Sequence, residues 1–319
     1  MKHFLAAWMA LMTATTSLGC DVCGIFLGIQ PHDRTSSASL FWRYRRLEGT
    51  LATGGVPLPV KHGNHATTDA VPAQDQHYRE LYQVAEVRGD IWWSDRWATL
   101  VSVPLVNNYR AVDGIIDNDV YGIGDPFFIT RYLVVNTKCT TTDERTVHRV
   151  MLGGGAKLPL GRTDVLYNGG EVVHDQHPGS GSWDLLLSAE YMVRRGSNGA
   201  SLNMVARRNG TNDHDYRMGH GLSTTVEYFH RWDIGDWKVL PSVGAYHELA
   251  GLDAEVGEPV SGTGSSTFFT HTGVRLWWRS IGITTTYQRA IAQHIGADMI
   301  PNKERFVLGL TYNFNTNSN

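Results

Sequence analysis

The chain has 319 residues, a formal net charge of −3 and a mean hydropathy of −0.25, and 18% of its residues are charged. Beyond the N-terminus, no run of apolar residues is long enough to form a membrane-spanning helix, which excludes a helical membrane protein. A nucleic-acid-binding protein would carry a clear excess of basic residues, so no nucleic-acid partner is expected.

The N-terminus has the pattern of a secretory signal peptide. Lys2 and His3 precede an apolar stretch at 4–12, and the small residues Ser17 and Gly19 favour cleavage before Cys20. We therefore expect a signal peptide at 1–19 and a periplasmic segment at 20–35. Attachment of a lipid to Cys20, as the first mature residue, is the alternative.

The three cysteines are consistent with an exported protein, and their chemical role has three interpretations. Cys20 and Cys23 form a CxxC motif with no histidine after it, which excludes a haem-attachment motif. A small disulfide is one interpretation, and a lipidated Cys20 with Cys23 paired to Cys139 is another. A metal site that uses the Cys20 and Cys23 thiols is the third.

Twelve segments of the remaining chain alternate between apolar and polar residues, which is typical of β-strands with one apolar face. In the last segment the apolar face carries Phe306, Leu308, Leu310, Tyr312 and Phe314. In chain order the predicted strands are 37–47, 78–88, 97–105, 126–135, 147–158, 184–194, 200–208, 217–231, 237–248, 267–278, 281–290 and 305–314.

The connections between these segments alternate in length. The mostly long ones are 47–77, 106–125, 159–183, 209–216, 249–266 and 291–304, and the shorter ones are 89–96, 136–146, 195–199, 232–236 and 279–280. Outer-membrane barrels show this asymmetry, with short periplasmic turns and long extracellular loops. The sequence therefore predicts an all-β fold, a transmembrane antiparallel up-and-down β-barrel of about 12 strands at 36–316, with a tail at 317–319.

Tryptophans support a position in the bacterial outer membrane, with lipid as a partner. Seven of the ten fall in or beside three short turns, where an interfacial girdle would place amphipathic rings: Trp92, Trp93, Trp97, Trp232, Trp237, Trp277 and Trp278.

The second face of the predicted strands carries charge of both signs. An ionised Arg or Lys that faces lipid near the midplane costs roughly 2–4 kcal/mol, so these side chains are expected to line the lumen. They are Arg43, Arg45, Arg149, Lys157, Glu190, Arg194, Arg217, Glu227 and Arg275. Small residues on the same face, such as Gly153, Gly155 and Gly244, either leave room or let the sheet curve sharply.

Four short motifs resemble a bacterial outer-membrane family named for the meta-pathway of phenol degradation. They lie at 122–126, at 152–159 with Gly161, at 178–184 and at 312–314. The resemblance implies a transporter that passes small solutes, including apolar ones, across the outer membrane, and it implies no catalytic residues. The N-terminal CxxC and the histidine-rich loops depart from the family pattern.

Metal capture is the alternative function. His62 with His65, and His174 with His177, place two imidazoles three residues apart in two predicted extracellular loops. Neutral imidazole suits copper and zinc, and Cys20 and Cys23 on the opposite side of the membrane would serve the exit. Solvated loop histidines explain the same pattern without a metal.

An enzyme of the phospholipase type is the second alternative, and it is disfavoured. Ser197 lies in a Ser-Asn-Gly sequence, but the position that would supply a histidine base holds Arg or Val. A serine without a base to accept its proton is inert as a nucleophile. The sequence thus predicts no enzymatic activity and no cofactor, with a small-molecule solute as the partner.

Overall fold

The computed structural model describes residues 34–53, 74–138 and 146–314, and their regular structure is almost entirely β. Within these ranges no helix has the length and the apolar character to cross a membrane. The signal peptide, the CxxC motif, His62, His65 and Cys139 lie outside the described residues and remain predictions.

The described residues form nineteen strands and one 3₁₀-helix, His174–Gln176. The strands are β1 Ser36–Thr53, β2 Gln74–Trp92, β3 Trp97–Val112, β4 Ile115–Ile123, β5 Phe127–Asn136, β6 Val147–Lys157, β7 Leu166–Tyr167, β8 Gly170–Glu171, β9 Asp184–Arg195, β10 Asn198–Asn209, β11 Tyr216–Arg217, β12 Gly221–His230, β13 Trp232–Ile234, β14 Trp237–Ala250, β15 Ala254–Glu255, β16 Glu258–Pro259, β17 Ser265–Trp278, β18 Ile281–Ile295 and β19 Asn302–Phe314.

Twelve of these strands close into an antiparallel barrel. Their order around the wall is β1, β2, β3, β5, β6, β9, β10, β12, β14, β17, β18 and β19, and β19 pairs with β1 to close the ring. Consecutive wall strands are neighbours, as in an up-and-down barrel. The predicted fold class and the count of twelve strands are confirmed.

The outer face of the wall is an apolar band. On β3 it begins at Trp97 and continues through Val101, Val103 and Leu105, all of them exposed. Its length is close to the ~9–11 residues that a tilted strand needs to cross a bilayer. The other strands contribute exposed side chains to the same band, among them Leu40, Val87, Phe128, Leu152, Leu187, Val226, Val243, Val274, Ile283, Leu308 and Leu310.

A row of polar side chains limits the band on its loop side. Asn107 on β3 accepts a hydrogen bond from Gln83 at 3.3 Å and donates one to Asp119 at 2.9 Å. At the turn side the band meets exposed tryptophans, namely Trp93, Trp97, Trp232, Trp237 and Trp278. Trp92 and Trp277 depart from the predicted girdle, because both are buried inside the barrel.

The wall is uneven in height. Strands β5, β6, β9, β10 and β12 have 10–12 residues, whereas β1, β2 and β3 have 16–19. Above the short strands, the loop 158–183 and the three-stranded sheet of β11, β15 and β16 stand at the mouth. The loop side of the barrel is therefore built partly from folded loops.

The predicted long connection at 106–125 does join the third and fourth wall strands, but most of it is strand. The hairpin of β3 and β4 continues beyond the band and turns at Asp113 and Gly114. Both residues have positive φ, 50° and 81°, as a type I′ turn requires.

Candidate functional site: the barrel interior and its mouth

Charged side chains fill much of the inward face of the wall. They are nearly inaccessible to solvent, although most ionised groups in proteins stay in water unless they are paired. Those at most 8% exposed are Arg45, Glu80, Glu86, Arg88, Asp90, Arg131, Lys157, Asp184, Arg207, Glu227, Glu248, His271, Arg275 and Arg305.

Several ion pairs join strands that are not neighbours in the wall. Glu248 on β14 binds Arg45 of β1 at 3.1 Å and also binds Arg305 of β19. Glu227 on β12 binds Arg275 of β17 through both carboxylate oxygens, the shorter contact being 3.0 Å. These pairs span the interior and draw distant parts of the wall together.

A second set of pairs lies on the β2 side of the interior. Glu86, fully buried, binds Arg43 at 3.0 Å and Arg88, and accepts a hydrogen bond from Ser102 at 2.6 Å. Opposite charges therefore alternate around this part of the lumen, so each carboxylate faces at least one guanidinium.

Arg131 on β5 extends this arrangement. Its guanidinium binds Asp90 of β2 and, at 2.8 Å, Glu190 of β9. Because each of these carboxylates lies two strands away in the wall, Arg131 bridges three parts of the barrel. Sequence reasoning missed Arg131, although its alternation with the exposed Phe128 and the partly exposed Thr130 and Tyr132 would have placed it on the inward face.

Eight of the nine predicted lumen residues lie in wall strands on the inward face: Arg43, Arg45, Arg149, Lys157, Glu190, Arg194, Glu227 and Arg275. Arg217 is different, and its predicted place in a wall strand is wrong. It belongs to β11, which pairs with β15 in the loop sheet, and its guanidinium contacts His220 at 2.8 Å. The wall strand begins only at Gly221, and the preceding carbonyls of Met218 and Gly219 accept hydrogen bonds from the Asn209 side chain.

Loop 158–183 is attached to the wall at its root by a buried polar cluster around Asp125. This carboxylate accepts hydrogen bonds from the Ser180 backbone and hydroxyl, both at 2.8 Å, and from the Gly161 amide at 2.9 Å. Lys157 binds Asp125 and Asp184, each at 2.8 Å. The two ends of the loop are thereby tied to the break between β4 and β5.

The same loop reaches into the barrel at its tip, where Gln176 is fully buried. The Gln176 side-chain amide donates to the Tyr82 hydroxyl, and the Asn108 amide donates to the Gln176 carbonyl at 2.9 Å. Tyr82 and Asn108 are register partners on the inward faces of β2 and β3. The tip of the loop therefore sits against the inner wall.

The mouth around the tip contains aromatic and acidic groups. His174 stacks on Tyr216 with ring centroids 4.2 Å apart. Burial, helped by the nearby His214, lowers the pKa of His174, and burial also lowers the pKa of His177. Both imidazoles are thus neutral at pH 7. Solvent reaches Asp175, yet protein surrounds it, and this enclosure raises the pKa of its carboxyl.

Charge at the loop end is mostly negative. In the described segments on the loop side of the apolar band, acidic residues outnumber basic ones. The basic residues include Arg46, Arg79, Arg110, Arg162, Arg208, Arg217, Arg289 and Lys303. The acidic residues include Glu48, Asp75, Asp113, Asp117, Asp119, Asp164, Glu171, Asp175, Asp213, Asp215, Asp253, Glu255, Glu258, Asp298 and Glu304. A cleft lined by one sign of charge attracts the opposite sign and repels its own.

A metal centre is not assembled in the described part of the mouth. The rings of His174 and His177 lie 6.4 Å apart, and no group of three or more His, Cys, Asp or Glu residues within 34–53, 74–138 and 146–314 is arranged to hold an ion. The remaining members of the predicted set, His62, His65, Cys20 and Cys23, lie outside those ranges.

Two serines bear on the hydrolytic alternative. Ser197 lies in the turn between β9 and β10, away from the mouth. Ser180 belongs to the cluster at the root of the loop, where Lys157 donates to its hydroxyl and also binds Asp125 and Asp184.

The sequence matches the model of the family described as MetA-pathway of phenol degradation over residues 62–294. The chain belongs to this family. No curated protein sequence matches it significantly. The barrel, the apolar band and the family together place it in the bacterial outer membrane.

Comparison with solved structures gives similarities at low sequence identity. An outer membrane channel from Pseudomonas putida F1 is 13% identical with a TM-score of 0.59, and the match covers 91% of this chain and 98% of that one. The beta domain of the Bordetella autotransporter BrkA is 12% identical with a TM-score of 0.45, over 88% and 100% of the two chains.

Proposed function

We propose that this member of the family is an outer-membrane channel for small solutes. The observation that carries the proposal is a charged interior enclosed by a closed barrel with an apolar outer band. An ion-paired lining gives polar solutes partners on the way through, which a purely apolar core would not provide. The structural likeness to an outer membrane channel agrees with this function.

The acidic mouth favours neutral and cationic solutes over anions. Negative side chains predominate in the described loop segments, and Asp175 and Asp253 lie close enough to interact electrostatically. Anions approaching from outside therefore meet an unfavourable potential. Small aromatic or aliphatic solutes without negative charge are the class that this entrance admits best.

Permeability of proteoliposomes to a solute panel tests the function. We expect the refolded protein to pass small neutral and cationic solutes faster than anions of the same size, and to give a cation-selective reversal potential in a salt gradient. Vesicles with a refolded but heat-inactivated sample serve as the control. Permeability equal to that control for every solute would contradict a channel.

A further inference from the structure

The two parts of loop 158–183 differ in how well their buried polar groups are hydrogen-bonded. At its root, the Asp125 carboxylate lies 2.8 Å from both the Lys157 ammonium and the Ser180 hydroxyl, and Lys157 also donates to Ser180. Gly161 and Gly179 allow the two root segments to touch, because a Cβ on Gly179 would lie 2.6 Å from the Gly161 carbonyl carbon. The root is closely packed and well bonded.

The tip, in contrast, leaves buried acceptors without donors. The side-chain oxygens of Asn108, Asn118 and Gln176 are all buried without a hydrogen-bond partner. For Asn108 and Gln176 this orientation is fixed, because their nitrogens donate to a backbone carbonyl and to Tyr82. Tyr82 in turn donates to Glu80 at 3.0 Å, so its proton is already used.

Electrostatic repulsion also acts on the docked tip. Asp175 lies near Glu80 of the inner wall, and the two negative charges repel. Arg110 partly offsets this repulsion, with its Nε 3.5 Å from Glu80, but it is shared with Asp117 at 3.6 Å. The surroundings that raise the pKa of the Asp175 carboxyl therefore act against the docked tip when this group is ionised.

Buried acceptors without donors regain hydrogen bonds from water when they are exposed, which favours the undocked tip. The root keeps its bonds when the tip moves, since no root contact involves Asn108 or Tyr82. The loop is thus suited to a motion in which the tip moves away from the wall while both ends stay attached.

We propose that the tip of loop 158–183, centred on Gln176, is the gate of the channel, held at the wall by Tyr82 and Asn108 and released about the fixed root at Asp125. This proposal rests on the channel function proposed above. Docked, the tip obstructs the interior from the mouth side. Released, it opens the path between the mouth and the charged lumen.

Single-channel recording in planar bilayers tests the gate with two variants of opposite effect. Gln176→Ala removes the bond to Tyr82, and we expect the open fraction to rise about fivefold, the effect of one ordinary hydrogen bond. Asp175→Asn removes the repulsion with Glu80, and we expect the open fraction to fall. Asp164→Asn makes the same charge change on the same loop, where the side chain is 87% exposed, and should leave gating unchanged.

A cross-link provides a readout that does not depend on transport. In a background with Cys20, Cys23 and Cys139 replaced by Ser, the pair Asn108→Cys and Gln176→Cys should form a disulfide, seen as a gel shift. The oxidised form should stay closed, and reduction should restore opening.

The possible failures are distinguishable. Unchanged gating in both Gln176→Ala and Asp175→Asn, or equal conductance of the oxidised and reduced forms, would overturn the gate and leave the channel intact. If no form conducts while the disulfide still forms, the channel function itself is wrong and the gate with it.

Discussion

At the scale of single residues, matched charges are a main feature of the barrel interior. Arg275 is 1% exposed, and both of its terminal nitrogens bind Glu227. His271 approaches the same carboxylate at 3.3 Å and its other nitrogen contacts Gln288 at 3.0 Å. Removing one member of such a group leaves the others charged and buried, which costs more than the pair itself contributes.

Arg275→Met should therefore destabilise the barrel by about 3–5 kcal/mol, because the buried Glu227 loses its guanidinium partner. Arg279→Met is the matched control four residues away. Arg279 binds Asp236 at 2.9 Å, but both side chains are more than half exposed, so its loss should cost roughly 1 kcal/mol or less. Denaturant unfolding in lipid vesicles measures the free energy of unfolding of both variants. Equal losses would contradict a larger contribution from the buried pair.

At the scale of elements, neighbouring wall strands come close together at inward glycines, where a side chain would overlap the next strand. On β6, a Cβ at Gly155 would lie 1.9 Å from the Phe128 carbonyl oxygen, whereas a Cβ at Gly154 would have its nearest neighbour at 3.8 Å. Gly244 on β14 shows the same close approach, 1.9 Å from the Val226 oxygen. The inward glycines thus let strands approach and curve, and the space beside them is occupied by backbone.

Gly155→Ala should lower the yield of folded barrel and its stability by about 1–3 kcal/mol, since the added methyl overlaps backbone atoms. Gly154→Ala, one residue away on the lipid face, should be neutral or slightly stabilising. Heat-modifiable migration on gels reports the folded fraction of each variant. A larger loss for Gly154→Ala would contradict the assignment of the two faces.

The sequence was sufficient for strand number, strand faces and barrel class, because side-chain direction alternates strictly along a strand. The Asp113–Gly114 dipeptide is also typical of a two-residue hairpin turn, and it predicts the β3–β4 hairpin from sequence. The ion pairs that cross the lumen could not be predicted from the sequence. Arg45 and Glu248 are 203 residues apart, and only the curvature and stagger of the closed wall bring them together. The contact of Gln176 with Tyr82 depends on how loop 158–183 folds back onto the wall. The alternation of apolar and polar residues contains no information about such a loop.

At the scale of the whole molecule, the apolar band fixes the barrel in the bilayer. Leu308→Arg would place a charge on the lipid side of β19 and should cost about 2–4 kcal/mol near the midplane. Ile115→Arg, at the exposed tip of the β3–β4 hairpin beyond the band, should cost ~1 kcal/mol or less. The yield of folded barrel after refolding into vesicles should be clearly lower for Leu308→Arg than for Ile115→Arg. Equal yields would contradict the position assigned to the apolar band.

The ion pairs that cross the interior have a consequence for biogenesis. Arg45 lies on the first strand, and its partners Glu248 and Asn302 lie on strands near the end of the chain. During synthesis and export the guanidinium must remain hydrated until those strands arrive. Contacts of such long sequence separation slow folding. Until then the half-apolar strands are prone to aggregate, so we expect the unfolded chain to need holding factors during transit. Pairing of β1 with β19 completes the wall and brings Arg45 to its partners.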